Sequence, residues 1–261
     1  MKNYFTGILI FVFAFTTAGA QVEDGNDTQK AEEVIEKAVA KLGGEKYRNV
    51  TTLSSSGKLS VLKESKIASF QSFVNVIIYP NKQRVDFNER GTRTVQVNTG
   101  DTGWILDEFF DNFGPQTDIQ IAAFQLDLKT HYDYLLRGRW NGEAELSHAG
   151  RRQASLGKRN DVIKLEFEDD SWIEYEFSDE GLPMKTVYPV KNSDGVLINK
   201  EYRYAQFILM EGILFPFIVD HFSDGQRSFR VNYSKVQFNR VIPDSIFERP
   251  EDPKKIKKLK I

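Results

Sequence analysis

The chain has no cysteine, 3 histidines and 8 prolines in 261 residues. Without cysteine there is no disulfide framework, no thiolate metal site, no cysteine nucleophile and no lipidated cysteine. The histidines, His131, His148 and His221, are scattered, whereas a metal centre needs three or four ligands brought together. Phosphate-loop and dinucleotide glycine patterns are missing, and so are G-x-S-x-G and H-E-x-x-H. Neither sign of charge dominates, with 35 Lys+Arg against 37 Asp+Glu, so nucleic acid is not an expected partner. Long apolar runs are also missing. The one at the start, Ile8 to Phe15, is too short to cross about 30 Å of hydrocarbon as a helix.

That short run belongs to a secretory signal. Lys2 supplies the positive end, and Ala18-Gly19-Ala20 supplies small residues before a cleavage point. Residues 1–20 are therefore expected to be removed, leaving an exported, periplasmic protein beginning at Gln21. What is abundant is aromatic side chain, with 20 Phe, 10 Tyr and 3 Trp. Such a composition favours strands, or a surface that receives apolar ligands.

From Lys30 the apolar residues Ala31, Val34, Ile35, Ala38, Val39 and Leu42 fall on one helical face, with Thr28 as the N-cap. Gly43-Gly44 follows this helix rather than opening one. It therefore reads as a helix stop and not as a phosphate cradle.

The period then changes to two for most of the chain. In "SFQSFVNVIIYP" both faces are apolar, so alternation leaves open which face points inward. "DVIKLEFEDDSWIEYEFSDEG" reads as a hairpin, with Ile163, Leu165 and Phe167 opposite Ile173, Tyr175 and Phe177. Glu166, Glu168, Glu174 and Glu176 then form a solvated outer face. In "LSSSGKLS" small residues, Ser55 and Gly57, would let a helix or an acyl chain lie close to the sheet.

About ten or eleven strands joined by short loops predict an antiparallel meander. One helix interrupts it. Ile121, Phe124, Leu128, Tyr132 and Leu135 keep helical spacing, Thr117 with Gln120 forms a capping box, and Gly138 ends the segment. The fold class is thus mainly β: a single curved antiparallel sheet forming an incomplete β-barrel, with an N-terminal and a mid-chain helix over its concave side. No nucleophile and base can be paired. Asp127 and His131, four apart, read as a solvated helix pair. The cluster Phe109, Phe110 and Phe113 in "EFFDNFG" either folds onto the core or lines a hydrophobic cavity. The last eight residues carry five lysines. This reads as a solvated tail, or as an attraction to an anionic membrane or a membrane-bound partner.

The order of these pieces resembles the bacterial outer-membrane lipoprotein-sorting proteins of the LolA/LolB-like superfamily. The matching stretches are the helix closing in "KLGGEKYRNV", the strand "LSSSGKLS", the pair around "YPNKQRVDF" and the turn and strand "NTGDTGWILD". The mid-chain helix, "EYRYAQFILMEGILFPFIVD" and "VIPDSIFERP" complete the set. The resemblance implies a domain over 21–250 followed by a basic tail, 251–261. It further implies a non-enzymatic monomer without cofactor, whose hollow receives acyl chains of a lipoprotein or other lipid. Cavity candidates are Phe73, Val74, Val76, Trp104, Phe109, Phe110, Phe124 and Leu128. Arg84 and Arg93 are the positions open for the cavity arginine such carriers use. Absence of a cysteine after the signal excludes the membrane-anchored version. The alternative is a periplasmic sensor or protein-interaction module of the same fold.

Overall fold

A computed structural model describes residues 23–259 apart from 65 and 193, and only the backbone of 23–26. The expected signal peptide lies outside the described residues. Thirteen strands form one antiparallel sheet: β1 (Thr52–Lys63), β2 (Lys66–Ile78), β3 (Lys82–Glu89), β4 (Thr92–Thr99), β5 (Thr102–Asp107), β6 (Asn112–Pro115), β7 (Ala144–Ser155), β8 (Lys158–Phe167), β9 (Trp172–Phe177), β10 (Pro183–Lys191), β11 (Leu197–Met210), β12 (Ile213–Ser223) and β13 (Gln226–Phe238). Their spatial order is β6-β5-β4-β3-β2-β1-β13-β12-β11-β10-β9-β8-β7, so the sheet stays open and β1 pairs with the last strand. Helices α1 (Glu23–Leu42), α2 (Glu45–Arg48), α3 (Asp118–Thr130) and α4 (Tyr132–Leu136) complete the regular structure.

α1 begins at Glu23, so Thr28 lies inside the helix instead of capping it, and its hydroxyl donates to Leu146 O. The predicted apolar face is buried at Ala31, Ile35, Ala38, Val39 and Leu42. The helix ends with Gly43 N–H on Ala40 O and Gly44 N–H on Val39 O, both glycines at positive φ. A Cβ on Gly43 would stand 2.7 Å from Gly212 O. The pair therefore both stops the helix and lets it press on the β11–β12 turn.

The mid-chain helix is broken at His131, which is extended at φ −76°, ψ 138°. Its Nδ1 accepts from Asp133 N–H and so caps α4. The capping box at Thr117 and Gln120 is formed. α3 is the piece that reports the curvature of the sheet. Gln116, at its entry, bonds to Asn98 and Trp104 O on β4 and β5, while Asp127, near its exit, accepts from Tyr202 on β11. Strands β5 and β11 are seven steps apart, roughly 34 Å along a flat sheet at about 4.8 Å per strand. The chain from 116 to 127 spans only about 22 Å, most of it helical. The sheet must bend toward the helices.

The register divides the sheet faces. Leu53, Ile77 and Phe238 share the helix side with Phe73, whereas Ser54, Val76, Arg84, Val97 and Trp104 share the outer side. The main core lies on the helix side and includes Tyr132, Leu135, Ile163, Leu165, Tyr175, Phe177 and Phe215. A second core lies on the outer side. There residues 242–259, including short 3₁₀ turns at Asp244–Ile246 and Pro253–Lys255, place Phe247 and Ile256 over Val76, Val95, Val97, Trp104 and Leu106. The basic tail through Leu259 is thus a strap on the sheet, not a frayed end. Two buried faces explain why both faces of β2 are apolar.

Gly57 has a different role from the one its neighbours suggest. A Cβ there would come within 2.1 Å of Asn232 O, so the adjoining strand β13 takes the space, rather than a helix or a ligand. Gly57→Ala is expected to cost about 1–3 kcal/mol, the range for inserting a methyl into a packed site. A urea titration checks it, and an unchanged midpoint would refute the tight approach.

Candidate functional site

The predicted hairpin forms as β8 and β9, with Ile163 opposite Tyr175 and Leu165 opposite Ile173. Its outer face is less solvated than the alternation implies. Glu176 is 1 % exposed and is held by Asn160, Arg152 and Lys185. Burial raises its pKa, but these partners outweigh burial and the net shift is downward. This is a charge network of the sheet.

On the helix side, β10 to β13 and β1 to β3 present a band of aromatic side chains. Phe73 on β2 touches Phe87 on β3 at 6.5 Å between ring centroids and Tyr233 on β13 at 5.7 Å. Tyr233 meets Phe215 on β12 at 5.1 Å, and Phe215 meets Phe217 at 6.3 Å. Further along, His221 stacks on Phe229 at 4.6 Å, Tyr202 packs against both, and Tyr188 stacks on Tyr202. Phe73 and Phe215 are buried, while Phe217, Val219, Phe229, Val231 and Tyr233 are half-buried. The half-buried members form the floor of a trough that α3 crosses.

The floor carries no charge at neutral pH. Burial raises the tyrosine pKa values of Tyr202, Tyr204 and Tyr233. Burial, then the nearby Lys200, lowers His221 to about 4. Chemically the trough offers rings, methyl groups and a few hydroxyls, with the Asp127 carboxylate on Tyr202 and Lys200 near His221 as the charged groups beside them. It suits an apolar chain; its one hydroxyl–imidazole pair is His221 Nδ1 with Ser228 Oγ at 2.5 Å, and that hydroxyl is also bonded to His221 O within the β12–β13 hairpin.

The sequence-derived candidates do not converge on one place. Phe73 is buried within the aromatic band of the helix side, against Phe87 and Tyr233. Val74, Val76 and Trp104 point to the outer face; Val76 and Trp104 are in the second core, where Trp104 Nε1 donates to Phe247 O at 2.8 Å. Arg84 and Arg93 are there too, beneath the strap. Phe109 and Phe110 stand in the β5–β6 turn, 74 % and 75 % exposed, edge to face with each other. With Phe87 they line a 400 Å³ cleft at the rim of the helix side. Phe124 is buried and Leu128 half-buried on α3. Phe215, Phe217, Phe229 and Tyr233 were missed, although "GILFPFIVDHF" and "QRSFRVNYSKVQF" place them alternately on one strand face.

A second polar cluster lies where α4 meets α2 and the β2–β3 turn. Asp133 is buried and accepts from Tyr47 and Tyr79, with Arg137 and His131 beside it. A cleft of 740 Å³ opens next to it, lined in part by Arg48, Arg137 and Arg139. These cations are engaged: Arg48 with Glu36, Arg137 with Asp133 and Val50 O, Arg139 with Pro80 O. The cluster is a clamp between elements. Asp127 bonds to Tyr202, not to His131, and among the described residues no group of three metal-ligating side chains forms.

An open antiparallel sheet curved around helices on its inner side defines the fold class. No protein-family model and no curated protein sequence matches the chain, but solved structures do. It is similar to a DUF1329 family protein from Desulfovibrio piger ATCC 29098, at 12% identity and TM-score 0.59, over 84% of this chain and 97% of that one. It is also similar to a LolA superfamily protein from Nitrosomonas europaea, at 14% identity and TM-score 0.55, with the same coverage. A candidate outer membrane lipoprotein-sorting protein domain from Vibrio parahaemolyticus aligns at 12% identity and TM-score 0.54, over 83% and 97%. The chain has a LolA-like fold.

Proposed function

We propose that this protein is an envelope carrier that holds acyl chains of a lipoprotein or another lipid against the aromatic trough. The observation that supports this most is the uncharged, half-buried floor of Phe217, Val219, Phe229, Val231 and Tyr233 beneath α3. The LolA-like fold and the export signal read from the sequence point the same way. Ten buried methylenes at about 0.8 kcal/mol each give on the order of 8 kcal/mol, which reaches micromolar binding with no charged or catalytic contact.

Native mass spectrometry of freshly purified protein, with uptake of a fluorescent fatty acid, tests the reading. Phe217→Asp puts a carboxylate on the floor and is expected to weaken uptake at least roughly tenfold, the effect of one desolvated charge. Phe217→Leu should retain it. A clean apo mass with no uptake, or uptake indifferent to Phe217→Asp, would remove the carrier reading. A stable protein partner retained from envelope extract without lipid would favour the sensor or interaction module instead.

A further inference from the structure

We infer that the outer face of the sheet holds a second site, which takes a phosphoryl group. Its basis is a buried imbalance of charge beside a cavity. Arg84, Asp86 and Arg93 are 4 %, 9 % and 8 % exposed. Arg84 grips Asp86 with two bonds, Nε to Oδ1 at 2.8 Å and Nη2 to Oδ2 at 3.1 Å, and Arg93 Nη2 shares Oδ2 at 2.8 Å. Two guanidiniums therefore share one carboxylate. The other partners of both arginines are uncharged carbonyls of the strap: Ile246 O, Ile256 O and Lys257 O. Among the described residues Arg93 Nε is buried with no partner at all. The carboxylate of Glu108 accepts the main-chain N–H of Arg93 but does not line the cavity. Among the described residues one buried positive charge is left without a counter-ion, an arrangement that costs free energy unless an anion completes it.

The adjoining cavity is built to receive one. It measures 530 Å³ and lies between β1, β2, β3, β13 and the end of the strap, with Arg93 in its wall. Lys58 and Lys258 add two exposed cations to the lining, and among the described residues Asp86, already shared, is its only acid. Hydroxyls come from Ser56, Ser72 and Ser234. Ser234 reaches the site because of a β-bulge. Ser56 pairs with Lys235 and Gly57 with Tyr233, so Ser234 is the extra residue without a ladder partner. Lysines, a guanidinium and hydroxyls in the lining of one cavity are the donor set of a phosphate or phosphate ester. The site is on the opposite face from the trough, so it stands whether or not the trough carries acyl chains.

The test is calorimetric titration of the full chain with inorganic phosphate at low ionic strength, and sedimentation with vesicles of phosphatidylglycerol or of phosphatidylcholine. Lys58→Glu and Lys258→Glu change exposed side chains, so the fold is not at risk, and thermal unfolding in phosphate-free buffer checks this. Each is expected to weaken binding roughly tenfold by placing like charge against the ligand. Lys254→Glu alters the same strap outside the cavity and should change little. Saturable phosphate binding with this pattern assigns free phosphate as the ligand. Binding confined to phosphatidylglycerol vesicles, with the same pattern, assigns a lipid headgroup. No binding in either arm, or equal loss in Lys254→Glu, overturns the site.

Discussion

Deletion of residues 241–261 is expected to abolish cooperative folding, although it removes no strand and no helix of the main core. The deleted strap buries Phe247 and Ile256, and full burial of such side chains contributes about 1.5–3 kcal/mol each. It also shelters Val76, Val95, Val97, Trp104 and Leu106, which would face water. Arg84 and Arg93 would lose carbonyl partners from Ile246, Ile256 and Lys257, and bonds to charged groups contribute about 1.5–3 kcal/mol each. The sum is on the order of 10 kcal/mol, comparable with the whole stability of a domain. Urea unfolding followed by tryptophan emission reads the result, since Trp104 lies under Phe247. Phe247→Ala keeps the chain length and isolates the anchor, with an expected loss of about 3–5 kcal/mol. A truncated chain that unfolds at the midpoint of the full chain would show the strap to be dispensable.

The strap also shows where sequence reasoning reached and where it stopped. Period-two alternation located most of the strands, about ten or eleven against the thirteen that form, and both arms of the 163–177 hairpin. The glycine stop after α1 and the capping box at Thr117 were legible because each is a local rule. The strap was not, because five lysines in eight residues outweigh two apolar anchors in any compositional reading. Phe247 and Ile256 acquire their partners only through strands some 150 residues away in sequence. For the same reason β2, apolar on both faces, could not be assigned an inward side. Val76 and Phe73 both read as cavity candidates, yet successive side chains alternate across the sheet and only one set can face the helices. The trough is a product of register among β2, β12 and β13. Its rings are visible in the sequence, but their assembly is not.

Asp133→Ala is expected to cost about 3–5 kcal/mol, because it leaves a buried cation without its counter-charge. Arg137 lies between the rings of Tyr47 and Tyr79, at 4.7 and 4.4 Å from their centroids, and its charge is matched by Asp133. The two tyrosine hydroxyls would lose their acceptor in the same step. This also sets a pH dependence. Burial alone would raise the Asp133 pKa, but His131, Arg137 and the hydroxyls of Tyr47 and Tyr79 outweigh it and hold the group at about 2, against an ordinary 3.8. A carboxyl with a depressed folded pKa contributes stability above its unfolded pKa and loses it as pH falls through the folded one. The contribution, on the order of 2 kcal/mol for a shift of this size, should be complete at neutral pH and disappear as acid is added from pH 3.8 toward 2. Urea titrations across that interval should show the wild type losing stability more steeply than Asp133→Asn, which cannot titrate. Parallel curves would mean that Asp133 is not the group whose charge fastens α4 to the sheet.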